Sequence, residues 1–166
     1  MDESATNSGN SGRNNSGEQT RGTVLIVDDD VNDAAAARRM IEKSSSKLLA
    51  RTLHSGEELI SCLQGEREYS DRTEFPYSTF ILLDLKMSGM DGFDVLCWLR
   101  HHPPHGYVPV IVLTGLGEVQ MAVRAAALGA RSSLNKPLQA QDLENLVQKL
   151  QQWLELVCAP FSASSR

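Results

Sequence analysis

Apolar residues in this chain gather into short, nearly unbroken runs separated by longer amphipathic stretches. Thr23-Val24-Leu25-Ile26-Val27, Phe80-Ile81-Leu82-Leu83 and Val108-Pro109-Val110-Ile111-Val112-Leu113 have the length and β-branched content of strands buried on both faces. Lys47 to His54 is less apolar and predicts an edge strand, and a short fifth strand is expected near Ser132 to Leu134. The intervening stretches carry helical spacing. Val31 to Lys43 is rich in good helix formers, and its small face, Ala34 through Ala37, can pack on a sheet or admit a partner helix. Ser55-Gly56-Glu57-Glu58 has the capping-box form and starts a helix to about Gln64. Phe93 to Arg100 predicts a helix with Phe93, Leu96, Cys97 and Leu99 inward. Glu118 to Leu128 predicts one stopped by Gly129. A last helix is expected from Asp142 to about Val157, with Leu143, Val147, Leu150, Leu154 and Val157 along one stripe. Strand and helix alternate five times, the order of a doubly wound α/β domain with a parallel sheet and helices on both faces.

Polar stretches bound that domain. Residues 1–22 hold no Leu, Ile, Val or Phe and bury too little to offset their ordering entropy, so a disordered amino-terminal tail is expected there. The folded unit is expected over 23–158, with a carboxy-terminal tail at 159–166. Gly65 to Ser78 is charged, contains Pro76 and predicts a long surface loop. The three histidines His101, His102 and His105 flank two prolines. With no Cys or acid to complete a ligand set, they predict a solvated loop.

Composition narrows the class of function. With 166 residues and 41% hydrophobic content the chain fits one core. A net charge of −5 gives no reason to expect nucleic acid, whose phosphates reward clustered Lys and Arg. Cys62, Cys97 and Cys158 are far apart and odd in number, which argues against a disulfide framework and for a reducing cytoplasm. No run is long enough to span a bilayer and no amino-terminal signal is evident, so no membrane association is expected.

The chemistry lies at the strand ends. Asp28 and Asp29 follow the first strand, Asp84 the third, Thr114 the fourth and Lys136 the fifth. In a parallel sheet these tips open on one edge, where ligands of open α/β sheets bind. Asp30 is expected to cap the following helix. Three carboxylates and one lysine leave room for a hard divalent cation, and Mg2+ takes oxygen ligands of this kind.

At these residues the sequence resembles a response-regulator receiver domain of two-component signalling. The resemblance rests on VLIVDDD, ILLDLKMSGMDGF, VIVLTG and LGARSSLNKPL in that order, over Thr23 to Leu150. It implies a flavodoxin-like five-stranded sheet of order 2-1-3-4-5. It further implies Asp84 as phosphoacceptor and Mg2+ held by Asp28, Asp29, Asp84 and the Lys86 backbone carbonyl. Thr114 would hydrogen-bond the phosphoryl group and Lys136 would pair with it. The implied partners are a sensor histidine kinase, as for receivers that serve phytochrome-like kinases, and an unnamed downstream protein. The resemblance further implies a stand-alone receiver, with no output module expected after the folded domain. The implied protein is not an enzyme beyond slow self-dephosphorylation. Three positions depart from the family pattern: Ser133 replaces the usual aromatic relay, Ser88 replaces a Pro and should only loosen its turn, and Leu116 cannot orient an attacking water. Trp153, Leu154, Leu156 and Val157 supply apolar surface for a homodimer or for packing on the chain's own core.

Two other functions fit parts of the pattern. Asp28-Asp29-Asp30, Thr114 and Lys136 also follow the order of haloacid-dehalogenase-type phosphohydrolases, although Asp84 would then be surplus and Asn32 stands where that motif ends in Thr. A phosphate-independent interaction scaffold with the receiver fold is the third reading.

Overall fold

A computed structural model of the chain describes residues 22–75, 78–103 and 105–158; beyond Leu150 the only side chain described is that of Gln152. The expected tails at 1–22 and 159–166 lie outside these residues, apart from Gly22, which opens the first strand. In chain order the elements are β1 (Gly22–Val27), α1 (Val31–Ser44), β2 (Leu48–Leu53), α2 (Gly56–Gln64), β3 (Phe80–Asp84), α3 (Gly92–His101), β4 (Val110–Gly115), α4 (Val119–Ala127), β5 (Ser132–Lys136) and α5 (Ala140–Cys158). The strands form one parallel sheet in the order β2-β1-β3-β4-β5. The doubly wound architecture and its strand order are those expected.

Side-chain alternation on the central strands divides the core into two layers. Val24, Ile26, Phe80, Leu82, Ile111 and Leu113 face α1 and α5, where Ala34, Ala37, Ile41, Leu143 and Val147 are buried. Leu25, Val27, Ile81, Leu83, Val110 and Val112 face the opposite layer with Leu59, Phe93, Val95, Leu96, Leu99 and Ala125. The small face of α1 therefore packs on the chain's own sheet, where Ala lets the helix approach closely. Further along α5, Leu150 packs at the core margin, and the expected dimer residues Trp153, Leu154, Leu156 and Val157 lie outside the described side chains.

The structure alters several local expectations. Cys97 is exposed and Val95 is the buried residue on α3. The inward face of α3 thus runs through Phe93, Val95, Leu96 and Leu99. β4 starts two residues later than expected and continues through Thr114 and Gly115, because these pair with Asn135 and Lys136 of β5. The stretch after α2 is anchored over its described part. A 3-10 turn at Arg67–Ser70 buries Tyr69, whose hydroxyl donates to Glu58 Oε1 at 2.6 Å. The Arg72 guanidinium donates to the carbonyls of Cys62 and Leu63 at 3.1 and 3.0 Å. His101 ends α3 and His105 opens a short 3-10 turn. The His102 ring stacks on Trp98 at 4.3 Å.

The turn that delivers the β3 tip is closely packed against backbone. A Cβ on Gly92 would stand 2.5 Å from the Asp84 carbonyl oxygen and 2.7 Å from Leu85 Cα, both backbone atoms that cannot swing aside. Gly92→Ala is expected to lower stability by about 1–3 kcal/mol, the usual cost of overpacking a filled interior. Urea unfolding checks this, as a lower midpoint at unchanged slope.

Candidate functional site

The tips of β1, β3 and β5 contribute polar side chains to a common cleft. β1 ends at Val27 and hands the chain to Asp28, buried at 1% exposure, and to exposed Asp29. Asp30 accepts the N–H groups of Asn32 at 2.8 Å and Asp33 at 3.1 Å and caps α1. The cap turns the chain so that Asp28 Oδ1 accepts the Asp30 N–H at 2.9 Å. β3 ends on Asp84, 6% exposed, whose Oδ1 accepts the Lys86 N–H at 3.1 Å. From β5, Lys136 Nζ donates to Asp28 Oδ2 at 2.6 Å and to Asp84 Oδ2 at 3.0 Å.

The three carboxylates offer oxygen atoms that all lie within 4.8 Å of one another. One ammonium faces them, so two negative charges in the cleft stay uncompensated. Each of the three carboxylates keeps at least one oxygen with an unused lone pair. The set is hard, anionic and open on one side, and it fits a small divalent cation held by carboxylates and water.

Electrostatics within the cluster follow from burial and pairing. Burial pushes the Asp28 carboxyl above the usual aspartate range, while the bonds from Lys136 and the Asp30 N–H pull it part of the way back. Burial alone would lower the Lys136 pKa, but the hydrogen bonds and charges of Asp28 and Asp84 outweigh it and hold the ammonium well above its ordinary value. Asp29 is held below the usual range, chiefly by the N–H of Ser88.

Sequence reading brought Asp28, Asp29, Asp84 and Lys136 together, and the structure does the same. Thr114 is buried at the tip of β4, beside Asp84 in the sheet, but its hydroxyl donates to Asn135 Oδ1 at 3.3 Å and not to the carboxylates. Lys86 sends its ammonium away from the cluster, to Glu118. Ser88 does more than loosen a turn: its N–H and Oγ donate to Asp29 Oδ2 at 2.8 and 3.0 Å. The rigid ring expected there is replaced by a hydroxyl that orients a cluster carboxylate. Asp33 and Glu118 were not anticipated. Asp33 meets Lys136 at 3.2 Å from the first turn of α1; its place one turn beyond Asp29 was the available signal. Glu118 had none, because its partners stand far away in the chain.

The model described as the response regulator receiver domain matches residues 24–148. Response regulator Rcp1 of Synechocystis is 31% identical over 109 residues, covering 65% of this chain and 72% of Rcp1. Response regulator protein FleR of Pseudomonas aeruginosa is 39% identical over 69 residues, covering 42% of this chain and 14% of FleR. The chain thus spans a small part of that longer regulator. Among solved structures, the bacteriophytochrome response regulator RtBRR superposes with a TM-score of 0.69 at 25% identity, covering 78% of each chain. These matches lend no support to the haloacid-dehalogenase alternative.

Removing the one ammonium leaves two buried carboxylates facing each other. Lys136→Ala is expected to cost about 3 kcal/mol in metal-free buffer at neutral pH. The sign with pH follows from the raised Lys136 pKa. The stabilisation is fully present below the ordinary lysine value of 10.5 and is lost as pH rises through the higher folded-state value. Urea titrations at several pH values should therefore show a constant deficit up to that point, shrinking above it.

Proposed function

Because the chain belongs to the receiver-domain family of response regulators, a family of phosphoacceptors rather than enzymes, we propose that Asp84 is the residue that takes the phosphoryl group. The observation that carries this is the buried Asp84 carboxylate standing between Lys136 and two further carboxylates at one strand edge. A carboxylate oxygen of Asp84 attacks phosphorus of a phosphohistidine on a sensor histidine kinase, and the P–N bond breaks. The imidazole leaves with the bonding pair and takes up a proton, and an acyl phosphate remains on Asp84. Little covalent work falls to the protein in such a transfer, which depends on position and on neutralising charge.

Asp28, Asp29, Asp84 and the Lys86 backbone carbonyl would hold Mg2+. When bound, the cation neutralises oxygens of the incoming group and relieves carboxylate repulsion. Lys136 already bridges Asp28 and Asp84 and can follow the charge to the new phosphoryl oxygens. The Thr114 hydroxyl can turn from Asn135 towards the same oxygens. Ser88 keeps Asp29 ionised and aimed.

The kinase is of the sensor type, as suits a chain similar to a bacteriophytochrome response regulator. A cytoplasmic setting, a receiver unit over 23–158 and a homodimer through the end of α5 belong to the same reading. Among the described residues no helix is long and apolar enough to cross a membrane. Leu116, 84% exposed, has no group with which to orient water at the acyl phosphate, so self-dephosphorylation is slow.

Incubation with acetyl phosphate and Mg2+ should add the mass of one phosphoryl group to the wild type and none to Asp84→Asn. Equal labelling of the two, or no labelling of either, would remove Asp84 from the role and favour the phosphate-independent scaffold. After removal of the donor the adduct should persist for minutes, and loss within seconds would contradict the part given to Leu116.

A further inference from the structure

One side-chain anion already holds donors at the tips of β3 and β4. Glu118, just before α4, folds its carboxylate back over the tip of β4. Its Oε2 accepts the Gly115 N–H at 2.7 Å and its Oε1 accepts the Lys86 ammonium. The Glu118 N–H returns a bond to the Gly115 carbonyl at 3.1 Å, which closes the turn. A Cβ at 115 would stand 2.8–3.0 Å from the carboxylate carbon and both its oxygens, so glycine leaves room for Glu118 in this position.

The two donors engaged by Glu118 belong to the tip of β3, which carries Asp84, and to the tip of β4 beside it. Gly115 follows Thr114 and pairs with Lys136 across β4 and β5. Lys86 lies two residues beyond Asp84 and already bonds it through its backbone N–H. A phosphoryl group on Asp84 would bring three strong acceptor oxygens and a charge of about −1.5 to −2 to this edge. It would draw on donors at the same tips and would repel the Glu118 carboxylate.

We propose that Glu118 is an internal stand-in for the phosphoryl group, holding the Gly115 N–H and the Lys86 ammonium until phosphorylation of Asp84 transfers them to the new oxygens and releases Glu118. This rests on Asp84 being the phosphoacceptor. Release of Glu118 frees the turn that leads directly into α4, where Val119 and Val123 are exposed on consecutive turns. The exchange of one anion for another thereby couples the chemistry to a helix surface without an aromatic side chain at Ser133. Competition also weakens binding of the incoming group, because a site occupied by its own side chain must first be vacated.

The test uses beryllofluoride with Mg2+ as a phosphoryl analogue on the full chain. Calorimetry is applied to the wild type, Glu118→Ala, Glu118→Gln and Asp84→Asn, and the Gly115 amide is followed by 15N NMR. Loss of the competing charge-assisted bonds should tighten binding by about tenfold in Glu118→Ala. Glu118→Gln, which keeps the shape but not the charge, should shift in the same direction by less. The Gly115 amide should move when the wild type is loaded. Affinity unchanged or weakened in both variants, or a Gly115 amide that stays still in the loaded wild type, overturns the proposal while leaving Asp84 as acceptor. No binding to the wild type, or equal binding to Asp84→Asn, overturns both.

Discussion

The contact on which the rest of the molecule depends is the ammonium of Lys136 set between Asp28 and Asp84. Two carboxylates less than 5 Å apart repel each other by roughly 3 kcal/mol at an effective dielectric near 20, and burial makes Asp28 harder to ionise. Without a cation between them that repulsion would stand unrelieved. One lysine relieves this without cancelling the charge. Two negative charges remain, and a divalent ion can answer them.

The scaffold exists to deliver that lysine. Lys136 is 108 residues from Asp28 and 52 from Asp84, and the parallel sheet brings these distant residues to one edge. The two-layer core fixes the lateral order of the strands. Alternation along β1, β3 and β4 sends apolar side chains up and down in turn, so a slip of one residue would bury nothing properly on either face. The strand tips inherit that register. The capped start of α1 and the close turn at Gly92 then set where Asp28 and Asp84 leave the sheet.

On the output side the chain departs from the common family pattern in a consistent way. Ser133 is exposed on β5 and cannot act as a moving ring. The neighbouring β4 to α4 turn is instead held by an ion pair reaching across to the β3 tip. Charge at Asp84 and position of α4 are then linked through Lys86, Gly115 and Glu118, a route made of hydrogen bonds and not of packing. Ser88 extends the same character to the cation side, orienting Asp29 with a hydroxyl and an N–H.

Much of this was legible along the chain because it is encoded locally. Runs such as Phe80-Ile81-Leu82-Leu83 can be satisfied only by burial on both faces, and an acid directly after such a run must emerge at a strand end. Strand and helix alternating five times named the fold class, and the polar residues at four of the strand ends gathered Asp28, Asp29, Asp84 and Lys136. What stayed hidden depends on side-chain directions and on contacts between residues distant in sequence. Helical spacing placed Cys97 inward, whereas the packed helix exposes Cys97 and buries Val95. Nothing near Tyr69 announced that it would be buried against Glu58. No local pattern assigns Ser88 to Asp29, or Glu118 to Lys86 and Gly115. Sequence periodicity sets which face an element buries. Only the assembled sheet decides which loops meet across its edge, because that distance is fixed by strand order and register and not by position in the chain.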